Sequence, residues 1–336
     1  MYHNIFVLSE KSDIGYNAVG KARKDTTSIL SEKYKLVGSM PKMPKRMVKK
    51  MLLNYTLCKS LKLEIHSGDY LFIQFPLPKG YNKILPILNK KYRCIYLIHD
   101  LDGLRYQVPK LECREINCLD GGYKIISHNQ HMTKYLIDHG INGEKIVELE
   151  IFDYLLNNHI EVTDHFSDGA MLCFAGNLEK AKFLNGFSLV DSGECINVYG
   201  LPGNMEFGSG IIYQGSYDSD TIPYKLQGKF GLVWDGTDAD TCNGNLGHYM
   251  KYNNPHKISL YLSSGMPVVV WNKSAIADFV KQKHIGILVE SIEESIEKIK
   301  KLNEKDYRGM QQNVMKIRDE IINGKMLQTA IKKLCL

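Results

Sequence analysis

Short, nearly continuous apolar runs alternate with amphipathic segments along this chain, and the alternation occurs twice. In the first half the runs are "NIFVLS" (4–9), "DYLFIQF" (69–75), "RCIYLIH" (93–99) and "YKIIS" (123–127), with helical patterning over 17–32, 82–91 and 129–139. Runs that are apolar on both faces suit buried parallel strands, which crossover helices cover on both sides. After the polar stretch "FDYLLNNHIEVTDHFSDG" the pattern restarts with "AMLCFAG" (170–176), "CINVYG", "GIIYQG", "FGLVWDG" and "MPVVVW". Helices are expected near 218–228, 255–264 and 275–283. The predicted architecture is α/β, with two Rossmann-like domains (1–160 and 165–305) facing each other across a cleft. Residues 306–336 are helical by pattern and are expected to pack back on the first domain.

A chain of 336 residues is long for a single core, which agrees with two domains. Its eight cysteines are scattered without a C-x-x-C pair, some inside apolar runs such as "MLCFAG", where they act as small hydrophobes. That usage points to a reducing cytoplasm. The N-terminal "MYHNIFVLSEKSD" reads as a first strand and not as a signal peptide, and no apolar run reaches the ~18 residues of a spanning helix. The expected location is cytoplasmic, at most peripheral at the inner face of the membrane. The net charge of +6 is concentrated in part in "MPKMPKRMVKKMLL" (40–53), which has five Lys/Arg and no acid. This is either a solvated helix face or a surface for anionic lipid or glycolipid. Nucleic acid is not an expected partner, because aromatics are not interleaved with the basic residues and no recognition motif is present.

In open α/β sheets ligands bind beyond the carboxyl ends of the strands. Those loops carry His99, Asp100, Asp102 and Arg105 in "IHDLDGLR", and Ser127, His128 and Asn129 in "ISHNQH". In the second half they carry Gly176, Asn177 and Lys180 in "FAGNLEK", Tyr213 after its strand, and a long Gly/Asn loop leading into "YNNPHKISLYLSSGMPVVVW". Asn254-Pro255 is expected to supply the cap and first residue of a helix, with His256, Lys257 and Ser259 near one anion. A helix N-terminus favours anions, so a lysine in its first turn hints at a compensating diphosphate. The bland alternative is a lysine that snorkels to solvent.

"GDYLFIQFPLP", "IHDLDGLR", "ISHNQHMTKYL", "FDYL", "FGLVWDG" and "YNNPHKISLYLSSGMPVVVW" together resemble bacterial β-1,6-galactofuranosyltransferases. More distantly they resemble the glucosyltransferase that extends O-GlcNAc on streptococcal serine-rich adhesins. The resemblance runs from the first strand to about residue 300. It implies a GT-B fold, a UDP-sugar donor bound mainly by the C-terminal domain, and no metal or other cofactor. Carried over by motif, the UDP contacts would be Asn17, Lys180, Tyr213 and Pro255, His256, Lys257, Ile258, Ser259 and Leu260. Lys180 stands where the adhesin enzyme has an arginine, and so offers a point charge and not a bidentate fork. The implied reaction moves galactofuranose from UDP-galactofuranose to a sugar hydroxyl of a cell-surface glycan precursor, with inversion. Lys257 and Lys180 would neutralise departing UDP. Asp100 and Asp102 are the candidate bases, with His99 and Asp13 behind them, although a strand-end Asp often only caps a helix. His99, Arg105, His128 and Asn129 would line the acceptor side.

Asp238 and Asp240 form a D-x-D after a strand, a pattern metal-binding transferases use. In a two-Rossmann chain it reads as chance, and "HNQH" lacks further ligands at zinc spacing. The expected partners are a UDP-sugar, a glycan or lipid-linked glycan acceptor and an anionic membrane surface. Homo-oligomer formation is allowed for and not assigned. Alternatives are a UDP-glucose-dependent enzyme acting on a glycan or glycoprotein, a non-catalytic sugar-nucleotide-binding subunit, and a sugar-nucleotide epimerase.

Overall fold

A computed structural model of the chain describes residues 4–10, 18–40, 44–66, 68–157, 165–167, 169–185, 187–189, 193–204 and 206–335. The chain divides into two compact units. One comprises Met1–Asp13, Arg23–Leu149 and Leu327–Leu336; the other comprises Ile14–Ala22 and Glu150–Met326.

The first unit is built on β1 (Ile5–Glu10), α1 (Ala18–Ser31, of which the residues up to Ala22 are counted with the second unit), β2 (Lys35–Met40), α2 (Met47–Glu64), β3 (Tyr70–Phe75), α3 (Leu85–Asn89), β4 (Arg93–Ile98), α4 (Asp102–Arg105), α5 (Pro109–Asp120), β5 (Lys124–Ser127), α6 (Gln130–Asp138) and β6 (Ile146–Glu148). Its strands pair in the order β2-β1-β3-β4-β5-β6, and all five pairings are parallel. All six residues of β3 are buried, as a central strand covered on both faces requires. Helix α6 starts where Asn129 accepts from Met132 N at 3.0 Å, a side-chain cap on an otherwise unpaired amide.

The second unit repeats the plan with β7 (Leu172–Ala175), β8 (Ile196–Tyr199), β9 (Ile211–Tyr213), β10 (Phe230–Val233), α7 (Gly244–Tyr249), α8 (His256–Ser263), β11 (Val268–Trp271), α9 (Ala277–Lys283), β12 (Gly286–Val289), α10 (Ile292–Lys301) and α11 (Glu304–Ile321). The strand order is β12-β11-β10-β7-β8-β9, again wholly parallel. Helix α11 returns to this core: Tyr307 OH donates to Lys229 O at 2.8 Å and Arg318 Nε to Ser263 O at 2.8 Å. The last helix, α12 (Lys325–Lys333), follows a break at Gly324, whose φ is 69°; Leu327–Leu336 belongs to the first unit.

Two parallel sheets with crossover helices match the expected fold class. Each predicted strand is present, with ends shifted by at most three residues. The helix expected over 218–228 is not. Pro223 interrupts it, and Asp218 accepts from Asp220 N, Thr221 N and Thr221 Oγ1, which favours a turn over a helix. A single 3₁₀ turn, Ile222–Tyr224, remains. Among the described residues no helix is long and apolar enough to cross a membrane.

Candidate active site

In the second unit the chemistry gathers where β7 and β10 end and α8 begins. Helix α8 is fixed there by Tyr261, whose hydroxyl donates to Leu232 O at 3.2 Å and accepts from Ala175 N at 2.8 Å. Gly231 makes the approach feasible, because a Cβ there would lie 2.1 Å from the Tyr261 ring. Lys257, in the first turn of α8, lies across both strand ends. Its Nζ donates to Trp234 O at 2.7 Å and to the Asp235 carboxylate at 2.9 Å, and it sits 4.7 Å above the Phe174 ring. Its side chain is only 15% exposed. It is therefore not a lysine that snorkels to solvent.

The loops around it are close to one another. A Cβ on Gly176 would lie 3.5 Å from Lys257 Cε, and one on Gly200 would lie 1.8 Å from Gly176 O at a φ of 138°. Only glycine fits that second position, since L side chains avoid such a φ. Asn177 accepts from Lys180 N at 3.2 Å and so turns the loop that carries the exposed Lys180. Tyr213 ends β9, with its OH donating to Gly200 O at 3.1 Å and its ring stacked on Phe207. With parallel strands ~4.8 Å apart, Tyr213 lies about 10 Å along the sheet edge from β7. That spacing suits a base or ribose at one end and a diphosphate at the other.

The expected start of α8 shifts by one residue. Pro255 holds the N-cap position and His256 is first in the helix. Asn254 instead donates from Nδ2 to Glu150 O at 2.6 Å. The Ser259 hydroxyl, expected near the anion, turns inward: it is buried and donates to Phe152 O at 2.7 Å. Ile258 and Leu260 belong to the core. In this region Lys257 and the first N–H groups of α8 are what can meet an anion. His256 stacks on Tyr154 at 5.1 Å, and burial, with Lys21 nearby, pushes its pKa down to about 4, so the ring is neutral. Lys21 itself is buried, donating to Leu155 O at 2.7 Å and Asp220 at 2.9 Å. Asn17 and Asp13 lie outside the described residues.

The first unit gathers a second cluster at the end of β4. His99 Nε2 pairs with Gln74 Oε1 at 2.8 Å, and Gln74 Nε2 donates to Thr27 Oγ1 at 2.9 Å. Arg105 Nη1 holds the Asp100 carboxylate at 2.9 Å. His128 is a core histidine: its Nε2–H donates to Ile98 O at 2.9 Å, and burial pushes its pKa down to about 4. Asn129 serves as the α6 cap.

Glu115, which no sequence motif marks, holds this loop through its carboxylate. Its Oε1 accepts from Asp102 N at 3.1 Å and its Oε2 from Gly103 N at 2.8 Å. Burial raises its pKa to about 7, against the lowering effect of the Gly103 N–H. The protonated acid is thus favoured in the fold relative to the unfolded chain. Its stabilising contribution is full below about pH 4.5 and is lost as pH rises through about 7. The stability difference between wild type and Glu115→Gln should therefore fall by on the order of 2–3 kcal/mol across that window and be flat above it. Chemical denaturation of both proteins at several pH values checks this; a difference that grows with pH would contradict it.

Asp238 and Asp240 are engaged in loop geometry. Asp240 N donates to Asp238 Oδ1 at 2.9 Å, and Trp234 Nε1 to Asp238 O at 2.9 Å. Among the described residues no group of three or more His, Cys, Asp or Glu is placed to hold a metal ion.

Two parallel-sheet units, with cationic and glycine-rich loops at the strand ends of one, are the architecture of the GT-B fold. Sucrose-phosphate synthase from Thermosynechococcus elongatus shares the fold at 11% identity and a TM-score of 0.60, covering 99% of this chain and 98% of that one. The Anabaena protein HepE, solved in complex with UDP, shares it at 11% identity and a TM-score of 0.58, covering 99% of each chain. Residues 4–151 match the "Glucosyltransferase 3-like, N-terminal domain" family and residues 172–334 the corresponding C-terminal domain. Beta-1,6-galactofuranosyltransferase WbbI of Escherichia coli (strain K12) is 33% identical over 325 residues, 93% of each chain. The chain belongs to this Glucosyltransferase 3-like family, together with the β-1,6-galactofuranosyltransferases.

Proposed function

We propose that this glycosyltransferase moves galactofuranose from UDP-galactofuranose to a sugar hydroxyl of a cell-surface glycan precursor, with inversion and without a metal. The observation that carries the reading is Lys257, set across the β7 and β10 strand ends at the start of α8, in a chain one-third identical to a galactofuranosyltransferase. The acceptor oxygen attacks the anomeric carbon as its bond to the β-phosphate oxygen breaks, and the electron pair leaves with UDP. Lys257, the α8 amides and Lys180 neutralise that charge; the acceptor proton passes to a carboxylate. Asp102 is assigned as the base because the Asp100 carboxylate is engaged by Arg105. Tyr213 would contact the uridine end. A lipid-linked acceptor would place the enzyme at the cytoplasmic face of the bilayer.

A UDP-glucose donor is the second reading, favoured by the glucosyltransferase description of the matching family. A donor screen decides between them: UDP-galactofuranose, UDP-glucose and UDP-galactopyranose with simple glycoside acceptors, each with and without EDTA. Transfer from UDP-galactofuranose that survives EDTA is expected. Transfer from UDP-glucose alone would overturn the donor assignment, and loss on chelation restored by Mn²⁺ would return Asp238 and Asp240 to consideration as ligands. UDP binding with no transfer from any donor would indicate a non-catalytic subunit.

A further inference from the structure

Helix α2 carries apolar residues on two separate arcs; among the described residues one is buried and the other is exposed. The inner face seats Leu57 and Leu61, both buried, against β2, where Gly38 leaves the space: a Cβ there would lie 2.9 Å from the Leu57 side chain. The other face presents Met47, Val48, Met51, Leu52 and Tyr55, between 61% and 78% exposed. At 100° per residue these five fall within one arc of the helix surface. Isolated exposed hydrophobes are ordinary, but five on one helix arc mark an interaction surface.

Charge around the patch selects the occupant. Lys45, Arg46, Lys49, Lys50, Lys59 and Lys62 surround it, and the stretch from Lys45 to Leu63 contains no acid. Glu64, at the far end, is 3.4 Å from Lys35. Lys91 stands beside Lys62, and that cation lowers its pKa. The first turn of α2 has no acidic residue and no side-chain cap, so Arg46, Lys49 and Lys50 oppose the helix dipole until an anion arrives. A second copy of this chain would bring the same cations face to face, so self-pairing through α2 is disfavoured. An apolar strip ringed by lysines fits a surface of acyl chains below phosphate head groups.

We infer that α2 docks this protein on an anionic lipid bilayer, with Met47, Val48, Met51, Leu52 and Tyr55 inserted beneath the head groups and the flanking lysines on the phosphates. The inference deepens the bilayer location proposed above and is independent of the donor sugar. Co-sedimentation with phosphatidylglycerol/phosphatidylcholine vesicles and with phosphatidylcholine vesicles tests it. Wild type should bind the anionic vesicles. Lys49→Gln with Lys50→Gln should weaken binding by on the order of tenfold or more, at roughly fivefold per charge. Met51→Gln with Leu52→Gln should weaken it by roughly tenfold or more, with transfer to a soluble glycoside unchanged. In a Tyr55→Trp variant, acyl-chain-brominated lipid should quench the new fluorescence. Failure of wild type to bind anionic vesicles would overturn the inference. Loss with the lysine pair alone, without quenching, would reduce it to a surface charge contact. An oligomer that Met51→Gln with Leu52→Gln converts to monomer, without vesicle binding, would assign the face to copies of the chain.

Discussion

Lys257→Ala should weaken UDP binding roughly ten- to a hundredfold and reduce turnover further still. A charge-assisted contact in a partly dry site is worth ~1.5–3 kcal/mol, and each 1.4 kcal/mol is tenfold in affinity. Negative charge on the leaving diphosphate grows toward the transition state, so the loss in turnover should exceed the loss in affinity. The geometry adds a second penalty. Lys257 also neutralises Asp235, 2.9 Å away, so its removal leaves a partly buried carboxylate uncompensated, which would repel a diphosphate bound at the start of α8. Reading Lys257 as a helix-start residue suggests that folding would hardly change. Its two hydrogen bonds and its position over Phe174 indicate instead a modest stability cost, on the order of 1–2 kcal/mol. Calorimetric UDP titration beside a transfer assay, with thermal melts to set the working temperature, separates the effects. Unchanged UDP affinity in a folded Lys257→Ala protein would return α8 to an ordinary core helix.

Asp102→Asn should cost transfer ~10²–10⁴-fold while UDP affinity is kept, as removal of a general base does. Asp100→Asn should act differently. It frees Arg105 from its 2.9 Å ion pair and should raise KM for the acceptor more than it lowers kcat. Steady-state kinetics on both variants, with UDP titrations as the control, check the assignment. A large kcat loss in Asp100→Asn with Asp102→Asn near wild type would exchange the two roles. Near-normal transfer in both would place the base elsewhere in the chain.

The strands that the sequence showed and those it hid differ in where they lie. Central strands such as Tyr70–Phe75 and Val268–Trp271 are buried along their whole length and therefore read as unbroken apolar runs. The three missed strands, β2, β6 and β12, are all sheet edges. Their residues alternate between exposure and burial or stay half-exposed, so "KLVGSM" and "IVE" carry little apolar signal. The helix expected over 218–228 failed where Pro223 and the Asp218 turn outweighed apolar spacing.

Lys257 stands out in the sequence because a cation at a helix start is locally unfavourable and calls for a partner, and in the fold that partner is the Asp235 carboxylate. Asp235 and Trp234, which hold it, come from another strand end and leave no local trace. The inward turn of Ser259 toward Phe152 is likewise a tertiary fact. Glu115 looked like one more acid on an amphipathic helix. Its role arises only because α4 and α5 meet so closely that a Cβ on Gly103 would lie 2.2 Å from Glu112 N.

If Lys257 and the start of α8 hold the diphosphate, comparing two ligands isolates that contact. Uridine shares the nucleoside with UDP and lacks both phosphates, so the ratio of their affinities reports the diphosphate alone. Titrating both into wild type and Lys257→Ala should show uridine binding almost equally to the two proteins. The UDP-to-uridine affinity ratio should fall roughly ten- to a hundredfold in the variant. An equal ratio in both proteins would mean that Lys257 does not hold the diphosphate.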